Sequence, residues 1–381
     1  MTTHVARGGS ICDDDHDVSD VGSESDVGTV ADLGCDMTVS DMVHNTVHNT
    51  VPNTLFDRYV MVDWSAASSP RRGRDSIWIA QRAAATHASH DSHDPVNVPT
   101  RAAAMQLLTD LVTSAPNERV LIGVDFTCGY PHGAAEVICD GEIGSDRHRA
   151  TWADVWRWMA THISDAPDNR NDRFDVAAQL NERISARVGV APFWGYPGRE
   201  RTDALPRTRP QAWAPAPSSA GDDDVGDHAD QMQSAGFNVA EFRIAEQRVQ
   251  ARGLRPFPAW QLAYPGSVGS QMMLGMHHVE RWRHEPDLKH RVRIWPFETG
   301  IGIESAHIEP GMVLVAELWP SMFDIDRSRH DVLDAAQVAD VVDRLAEADA
   351  NGTLADWFAP DLTLAERTVV LSEEGWTLGV V

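Results

Sequence analysis

The chain has 381 residues, 42% of them hydrophobic, and a formal net charge of −25 at pH 7. This apolar content suffices for one large domain or two modest ones, and no run approaches the roughly 20 continuous apolar residues that a membrane span needs. The acidic balance repels phosphates and argues against a strong non-specific nucleic-acid binder. The four cysteines show no C-x-x-C spacing and the N-terminus has no secretory signal pattern, so we expect a reduced, cytoplasmic protein.

Residues 1–54 are predicted to form a disordered acidic tail. The first 50 residues hold nine aspartates and Glu24 against a single base, Arg7. The segment is rich in Asp, Ser, Gly and Thr, and it cannot bury enough apolar surface to offset the entropy lost on ordering. We therefore expect folded structure to begin near residue 55.

Residues 55–131 are predicted to form the first part of an α/β core. An apolar strand ends at Asp63, and a polar loop leads to an antiparallel strand over residues 76–80. A short third strand near 96–98 precedes a helix over 100–114, for which Thr100 is a suitable N-cap. The strand over 120–126 is continuously hydrophobic, which is typical of a central strand covered on both faces.

Residues 132–311 are predicted to be a large, mainly helical or irregular insertion. Helices are expected near 150–163, 172–187 and 238–252, and a Pro/Ala/Asp-rich stretch over 206–235 is expected to be a mobile loop. Residues 312–381 are predicted to complete the core with a buried strand that carries Glu317. A helix over 331–349 and a short final strand or helix follow that strand.

The apolar runs of the predicted core place carboxylates where burial would be costly. Asp63 and Asp125 each end such a run, Glu317 lies within a third, and Asp331 and Asp334 open the late helix. A buried charge needs compensation, and clustered carboxylates favour a hard cation such as Mg²⁺ or Mn²⁺. The alternatives are that Asp331 or Asp334 caps the helix, and that Glu317 pairs with an arginine inside the fold.

Candidate substrate-binding residues lie on both sides of the insertion. Arg71, Arg72 and Arg74 occupy the polar loop after Asp63, and arginine suits bidentate phosphate binding. Glu298, in Trp295-Pro296-Phe297-Glu298, is a further candidate. The alternatives are a solvated loop for the arginines and a paired charge for the glutamate.

Several short motifs carry a resemblance to a known family. They are Val62-Asp63-Trp64-Ser65-Ala66, Val124-Asp125-Phe126, Gly129-Tyr130-Pro131, Glu317-Leu318-Trp319-Pro320-Ser321, Trp295-Pro296-Phe297-Glu298-Thr299 and Asp331-x-x-Asp334-Ala335. Together with Pro192-Phe193-Trp194-Gly195 and Gly266-Ser267-Val268-Gly269-Ser270-Gln271, and taken in chain order, they resemble a bacterial subgroup of the DUF429 group of predicted nucleases, which has the ribonuclease H-like fold. The resemblance implies a mixed five-stranded sheet with acids on its first strand, its fourth strand and a late helix.

The same resemblance implies a metal-dependent phosphodiester hydrolase. Asp63 would be a ligand shared by two Mg²⁺ or Mn²⁺ ions, Asp125 and Asp334 would each complete one metal shell, and Asp331 would be a further ligand. Glu317 would bind metal or orient water. The expected substrate is nucleic acid or a small phosphate-containing molecule.

Two other functions remain open from the sequence. A phosphotransferase of the actin-like clan would share this sheet, but Asp63-Trp64-Ser65-Ala66 lacks the glycine of a phosphate-binding hairpin. A non-catalytic, metabolite-binding protein could use the same fold, with the Trp/Pro-rich insertion as its recognition surface. The sequence leaves the oligomeric state undetermined.

Overall fold

A computed structural model describes residues 54–84, 94–139, 149–198, 204–211, 239–264, 267–303 and 308–381. Nearly all of the predicted acidic tail, and most of the loop predicted over 206–235, lie outside these residues. Among the helices in the described ranges, none is long and apolar enough to cross a membrane.

The described core is an α/β structure built on a six-stranded mixed sheet. The strand order is β3-β2-β1-β4-β6-β5, with β2 antiparallel to β1 and β3, and with β1, β4, β6 and β5 mutually parallel. The strands are β1 (Arg58–Asp63), β2 (Ile77–Ala83), β3 (Val96–Val98), β4 (Val120–Val124), β5 (Val292–Ile294) and β6 (Val313–Glu317). The α/β class is confirmed, but the sheet has one strand more than predicted, because β5 comes from within the predicted insertion.

The three central strands are buried along almost their whole length, as their continuous apolar sequences predict. Every residue of β4 and β6 is buried, and only the two ends of β1 are partly exposed. Gly123 permits the close contact of β1 with β4, since a Cβ atom there would lie 2.8 Å from the Met61 sulfur. The tight register of β1 against β4 fixes the relative positions of the residues that follow each strand.

The helices fall close to their predicted positions. Thr100 accepts a hydrogen bond from the Ala103 backbone at 3.1 Å, which confirms it as the N-cap of the first helix. The helices are α1 (Arg101–Ser114), α2 (Ala134–Ile138), α3 (Trp152–His162), α4 (Arg173–Val188), α5 (Ile244–Ala251), α6 (Val268–Arg283), α7 (Leu333–Ala350), α8 (Leu354–Trp357) and α9 (Leu364–Val369). Of the final strand or short helix predicted over 366–381, the structure shows the helical form: α9 continues into one π-helical turn, and only a single bridge to β6 follows.

The sheet separates two apolar cores. Helices α1, α3, α4 and α6 pack on one face against side chains such as Val62 and Val124. Helix α7 packs on the other face against Met61, Leu121 and Leu314. The carboxyl ends of β1 and β4 therefore open between α6 and α7, which is where ligands bind in many open α/β sheets.

A buried ion network joins β6 to the insertion and to the C-terminal segment. The Arg243 guanidinium, fully buried, donates to Glu246 and to Glu317, and its Nη1 also reaches the Glu374 carbonyl at 2.8 Å. Glu317 additionally accepts hydrogen bonds from the Cys128 backbone at 2.8 Å and from the Thr377 hydroxyl at 2.7 Å. All lone-pair directions of Glu317 are thus engaged in holding separate segments together.

We expect Glu317→Ala to destabilise the fold by about 3 kcal/mol, because it leaves the buried Arg243 without one of its two carboxylates. Urea unfolding at neutral pH measures this change. Glu118→Ala, which breaks the partly exposed pair with Arg58, is the matched control and should cost less than about 1 kcal/mol. Equal stabilities of the Glu317 variant and the wild type would contradict the structural role.

Candidate functional site

Two aspartates meet at the carboxyl ends of β1 and β4. Asp63 is the last residue of β1, and Asp125 follows β4 directly. Val62 lies opposite Val124 in the parallel register, and the Asp125 backbone N–H donates to the Val62 carbonyl at 3.3 Å, so the two aspartates lie side by side. Their carboxyl groups share a hydrogen bond, and the Trp64 backbone donates to Asp125 Oδ1 at 2.7 Å.

Burial and mutual repulsion make this pair resist ionisation. Both side chains retain a small exposed surface, yet protein atoms surround them densely, and desolvation is the largest cause of the shift at each. Burial and the Asp125 charge hold the pKa of Asp63 well above its usual range. Burial raises the pKa of Asp125 to about 6, against opposing hydrogen bonds from Asp63 and the Trp64 backbone. Both shifts favour retention of a proton by the pair.

Asp334 adds negative charge to this end of the sheet from the first turn of α7. Its charge raises the pKa of both Asp63 and Asp125. Its Oδ2 accepts a hydrogen bond from the Asp75 backbone at 2.7 Å, so it anchors the β1–β2 loop rather than capping its own helix. Asp331 lies before the helix, is exposed, and does not line either cavity at the site.

Two cavities meet at the acid pair. The polar cavity has a volume of about 600 Å³, and the apolar cavity about 410 Å³; Asp63, Gln271 and Gln337 line both. The polar cavity is further lined by Arg71, Asp75, Arg173, Tyr264, Ser267 and Asp334. The apolar cavity is further lined by Asp125, Leu254, Pro256, Phe257, Trp319 and Met322.

Two glutamines from facing helices complete the site, and sequence analysis gave neither a role. Gln271 of α6 donates from Nε2 to the Trp64 carbonyl at 2.6 Å and approaches Asp125 Oδ2 at 3.4 Å. Gln337 of α7 lies three residues after Asp334, which places both on the same face of the helix. The spacing of Gln337 from Asp334 could have identified Gln337 as a site residue from the sequence. Gln271 could not be identified in this way, because its position depends on how α6 packs against the sheet.

Of the three predicted loop arginines, Arg71 lies at the site. It lines the polar cavity and pairs with Asp75 at 3.2 Å, with half of its side chain exposed. Arg72 donates to the Asn97 carbonyl and so ties the loop to β3. Arg74 is exposed and does not line either cavity. Of the three arginines predicted to bind phosphate, Arg71 is therefore the one that lines a cavity at the site.

The structure places Glu317 and Glu298 outside the site. Glu317 aligns with Val124 and Val62 across the parallel strands, and side chains alternate along a strand, so it faces the core opposite to Asp63. Glu298 accepts from Arg283 at 3.0 Å and from the Ile294 backbone at 2.8 Å. Each glutamate has an arginine partner, Arg243 for Glu317 and Arg283 for Glu298. These contacts agree with the alternative in which both glutamates are paired charges.

The described residues fit one hard cation better than the predicted pair of ions. Within the described ranges, no group of three or more His, Cys, Asp or Glu side chains is close enough to hold a metal. Asp63 and Asp125 nevertheless offer adjacent carboxylate oxygens, and a cation would relieve the repulsion that now holds a proton between them. Mg²⁺ commonly binds through one or two carboxylates and fills its other positions with water and substrate oxygens.

Comparison with known proteins yields no relative for this chain. No family model matches it, no curated protein matches it, and no solved structure matches it.

Removal of the acidic repulsion should stabilise the fold. Because the folded-state pKa of Asp125 is raised from 3.8 to about 6, its contribution to stability is intact at low pH and is lost as pH rises through 6. We expect Asp125→Asn to increase the free energy of unfolding by on the order of 2 kcal/mol at pH 8 and by much less at pH 4. Denaturant unfolding of both proteins across this range measures the difference.

The control is Asp331→Asn, whose carboxylate is exposed and outside the cavities. It should leave the pH dependence of unfolding unchanged. An Asp125→Asn variant less stable than the wild type at pH 8 would show that the carboxylate supports the fold and is not under strain.

Proposed function

We propose that this chain is a metal-dependent phosphoester hydrolase of the ribonuclease H-like fold, with Asp63 and Asp125 as its metal ligands. The fold part of the proposal is supported by a mixed sheet whose first strand ends at Asp63 and whose fourth strand is followed directly by Asp125. Asp334, on the late helix, brings a third acid to the same end of the sheet. The observation that carries the function is the adjacent, desolvated carboxyl pair at the junction of two cavities.

Asp63 and Asp125 would hold one Mg²⁺ or Mn²⁺ ion between their carboxylates. When bound, such an ion polarises a phosphoryl oxygen and lowers the pKa of a coordinated water. Because burial and repulsion raise the pKa of both carboxyl groups, the ionised form that would hold the ion is favoured at higher pH, and metal affinity would rise with pH. The Trp64 backbone and Gln271 fix the orientation of Asp125 and of the loop beside it.

The reaction would proceed inside the polar cavity. A water oxygen bonds to phosphorus, the bond from phosphorus to the leaving oxygen breaks, and the leaving oxygen takes up a proton. Asp334 lies on the cavity wall and carries no bonded cation among the described residues, which suits it to accept the proton of the attacking water. Gln337, one turn further along α7, can donate an amide N–H to substrate oxygens.

The experiment measures Mn²⁺ binding and hydrolysis in the same set of variants. Wild type should bind Mn²⁺ in a calorimetric titration and hydrolyse bis-p-nitrophenyl phosphate or a short oligonucleotide. Asp125→Asn should lose both properties, with activity reduced at least 100-fold, because one of two ligands is gone. In buffers of different ionisation enthalpy, the wild-type titration should report release of about one proton per ion.

Asp331→Asn is the matched control, since sequence analysis places it among the ligands and the structure places it outside the cavities. It should bind Mn²⁺ and hydrolyse substrate as the wild type does. The proposal is wrong if the wild-type protein neither binds Mn²⁺ nor hydrolyses any phosphoester. It is also wrong if the wild type and Asp125→Asn show equal residual activity.

A further inference from the structure

The polar cavity has a second charged wall, formed by an arginine that sequence analysis did not single out. Arg173, the first residue of α4, is 7% exposed and lines this cavity. Its Nε donates to Ser270 Oγ at 2.8 Å, and its Nη1 donates to Ser68 Oγ at 3.1 Å and to Asn171 Oδ1 at 2.6 Å. Its guanidinium lies 4.2 Å from the Phe174 ring centre. Three neutral oxygens and an aromatic face therefore hold the group rigidly.

No carboxylate in the described residues forms an ion pair with Arg173. The nearby acid, Asp165, is already bound by Arg101 at 2.5 Å and by His278 at 2.7 Å. Although burial raises it, these bonds hold the pKa of Asp165 at about 2. Two buried arginines, Arg101 and Arg173, thus lie near a single aspartate, and that aspartate is bonded to Arg101. This leaves excess positive charge at Arg173. A buried cation without a counter-ion is costly unless a ligand supplies one.

The charged atoms of Arg173 remain available to a ligand. Burial, with a further contribution from Arg101, lowers the pKa of Arg173 to about 10, so it is protonated at neutral pH. Its Nη2 makes no hydrogen bond to the described residues. This atom is not fully enclosed, because it is absent from the set of buried polar atoms without a partner. The two Nη2 N–H donors of this cavity-lining side chain are therefore unused by the described protein, and a guanidinium presents its donors in the planar geometry that matches phosphate or carboxylate oxygens.

Other features of the cavity support an anion on this wall. Arg71 lines the same cavity, with half of its side chain exposed. Ser267, the residue that precedes α6, also lines it, and the N-terminus of this 16-residue helix carries positive partial charge. The acids Asp63, Asp75 and Asp334 form the remaining charged lining. The cavity lining therefore carries both signs of charge: Arg71 is paired with Asp75 at 3.2 Å, and Arg173 has no carboxylate partner among the described residues.

We propose that Arg173, assisted by Arg71, forms an anion subsite that binds the phosphoryl group of a small phosphorylated substrate. The assignment of a phosphorylated substrate rests on the proposed function. The assignment of an anion subsite rests instead on Arg173, which has no carboxylate partner among the described residues. A phosphoryl group bound there would share the cavity with Asp63 and Asp334. The cavity volume of about 600 Å³ lies within the range typical of small-molecule sites, so a small compound fits it better than a polymer.

The test is metal-free binding of inorganic phosphate, followed by calorimetry or by ³¹P NMR line broadening. Wild type should bind phosphate saturably. Arg173→Gln should weaken binding at least tenfold, which corresponds to about 1.4 kcal/mol. Asp334→Asn should tighten it, because a repelling charge in the same cavity is removed.

A second variant keeps the test decisive if Arg173→Gln does not fold. Ser267→Asp places a carboxylate in the cavity while retaining a favourable residue before α6, and it should also weaken phosphate binding at least tenfold. Arg170→Gln, which removes an exposed arginine three residues from Arg173, is the matched control and should bind phosphate as the wild type does.

The outcomes separate the subsite from the hydrolase. Absence of saturable phosphate binding by the wild type, or equal binding by the wild type and the folded Arg173→Gln and Ser267→Asp variants, overturns the subsite. Phosphate binding that follows the expected pattern supports it even if Mn²⁺ binding and hydrolysis both fail. Competition by a short oligonucleotide as strong as that by a small phosphomonoester would overturn the preference for a small substrate.

Discussion

The buried Arg243–Glu317 ion pair is the interaction on which the arrangement of the core depends. Glu317 ends β6 and accepts the backbone N–H of Cys128, three residues after Asp125. Arg243 connects the same carboxylate to Glu246 and to the C-terminal turn. Charges that are fully paired and hydrogen-bonded in the interior stabilise only the geometry that satisfies all of them. The network therefore holds the chain that leaves β4 in one path, and Asp125 takes its position from that path.

The site differs from this network because its charges are not neutralised within the described protein. Burial and repulsion among the acids raise the pKa of both Asp63 and Asp125, whereas Arg173, which lines the polar cavity with Asp63, bonds only to neutral oxygens among the described residues. Both conditions cost folding free energy, and neither is required by the packing of the sheet. Uncompensated charge of both signs around one cavity is typical of a site that a ligand completes. The cation and the anion that would satisfy the acids and the arginine are the two charged parts of a metal–phosphoryl complex.

The sequence predicted those parts of the fold and site that local patterns determine. The runs ending at Asp63 and Asp125 indicated buried strands, the resemblance placed their acids at one edge of the sheet, and the structure brings these two residues together. Glu317 was misplaced because its side chain faces the opposite core, and a shift of one residue in strand register reverses the face. Strand β5 was missed because three residues carry almost no periodic signal. Arg173 could not be recognised, since its burial and its neutral partners come from segments 97 and 105 residues away in sequence.

The strongly acidic composition and a phosphoryl ligand are compatible once size and burial are considered. A net charge of −25 acts at long range on an approaching polyanion, but exposed charges beyond roughly 8 Å are largely screened at physiological ionic strength. A small anion inside the cavity interacts mainly with its nearest groups, of which Arg173 is buried and rigidly held. The adjoining apolar cavity, with partly exposed Leu254 and Phe257 on its wall, can cover an uncharged part of the same molecule. The acidic surface would then select against polymers, while the buried arginine selects for a single phosphoryl group.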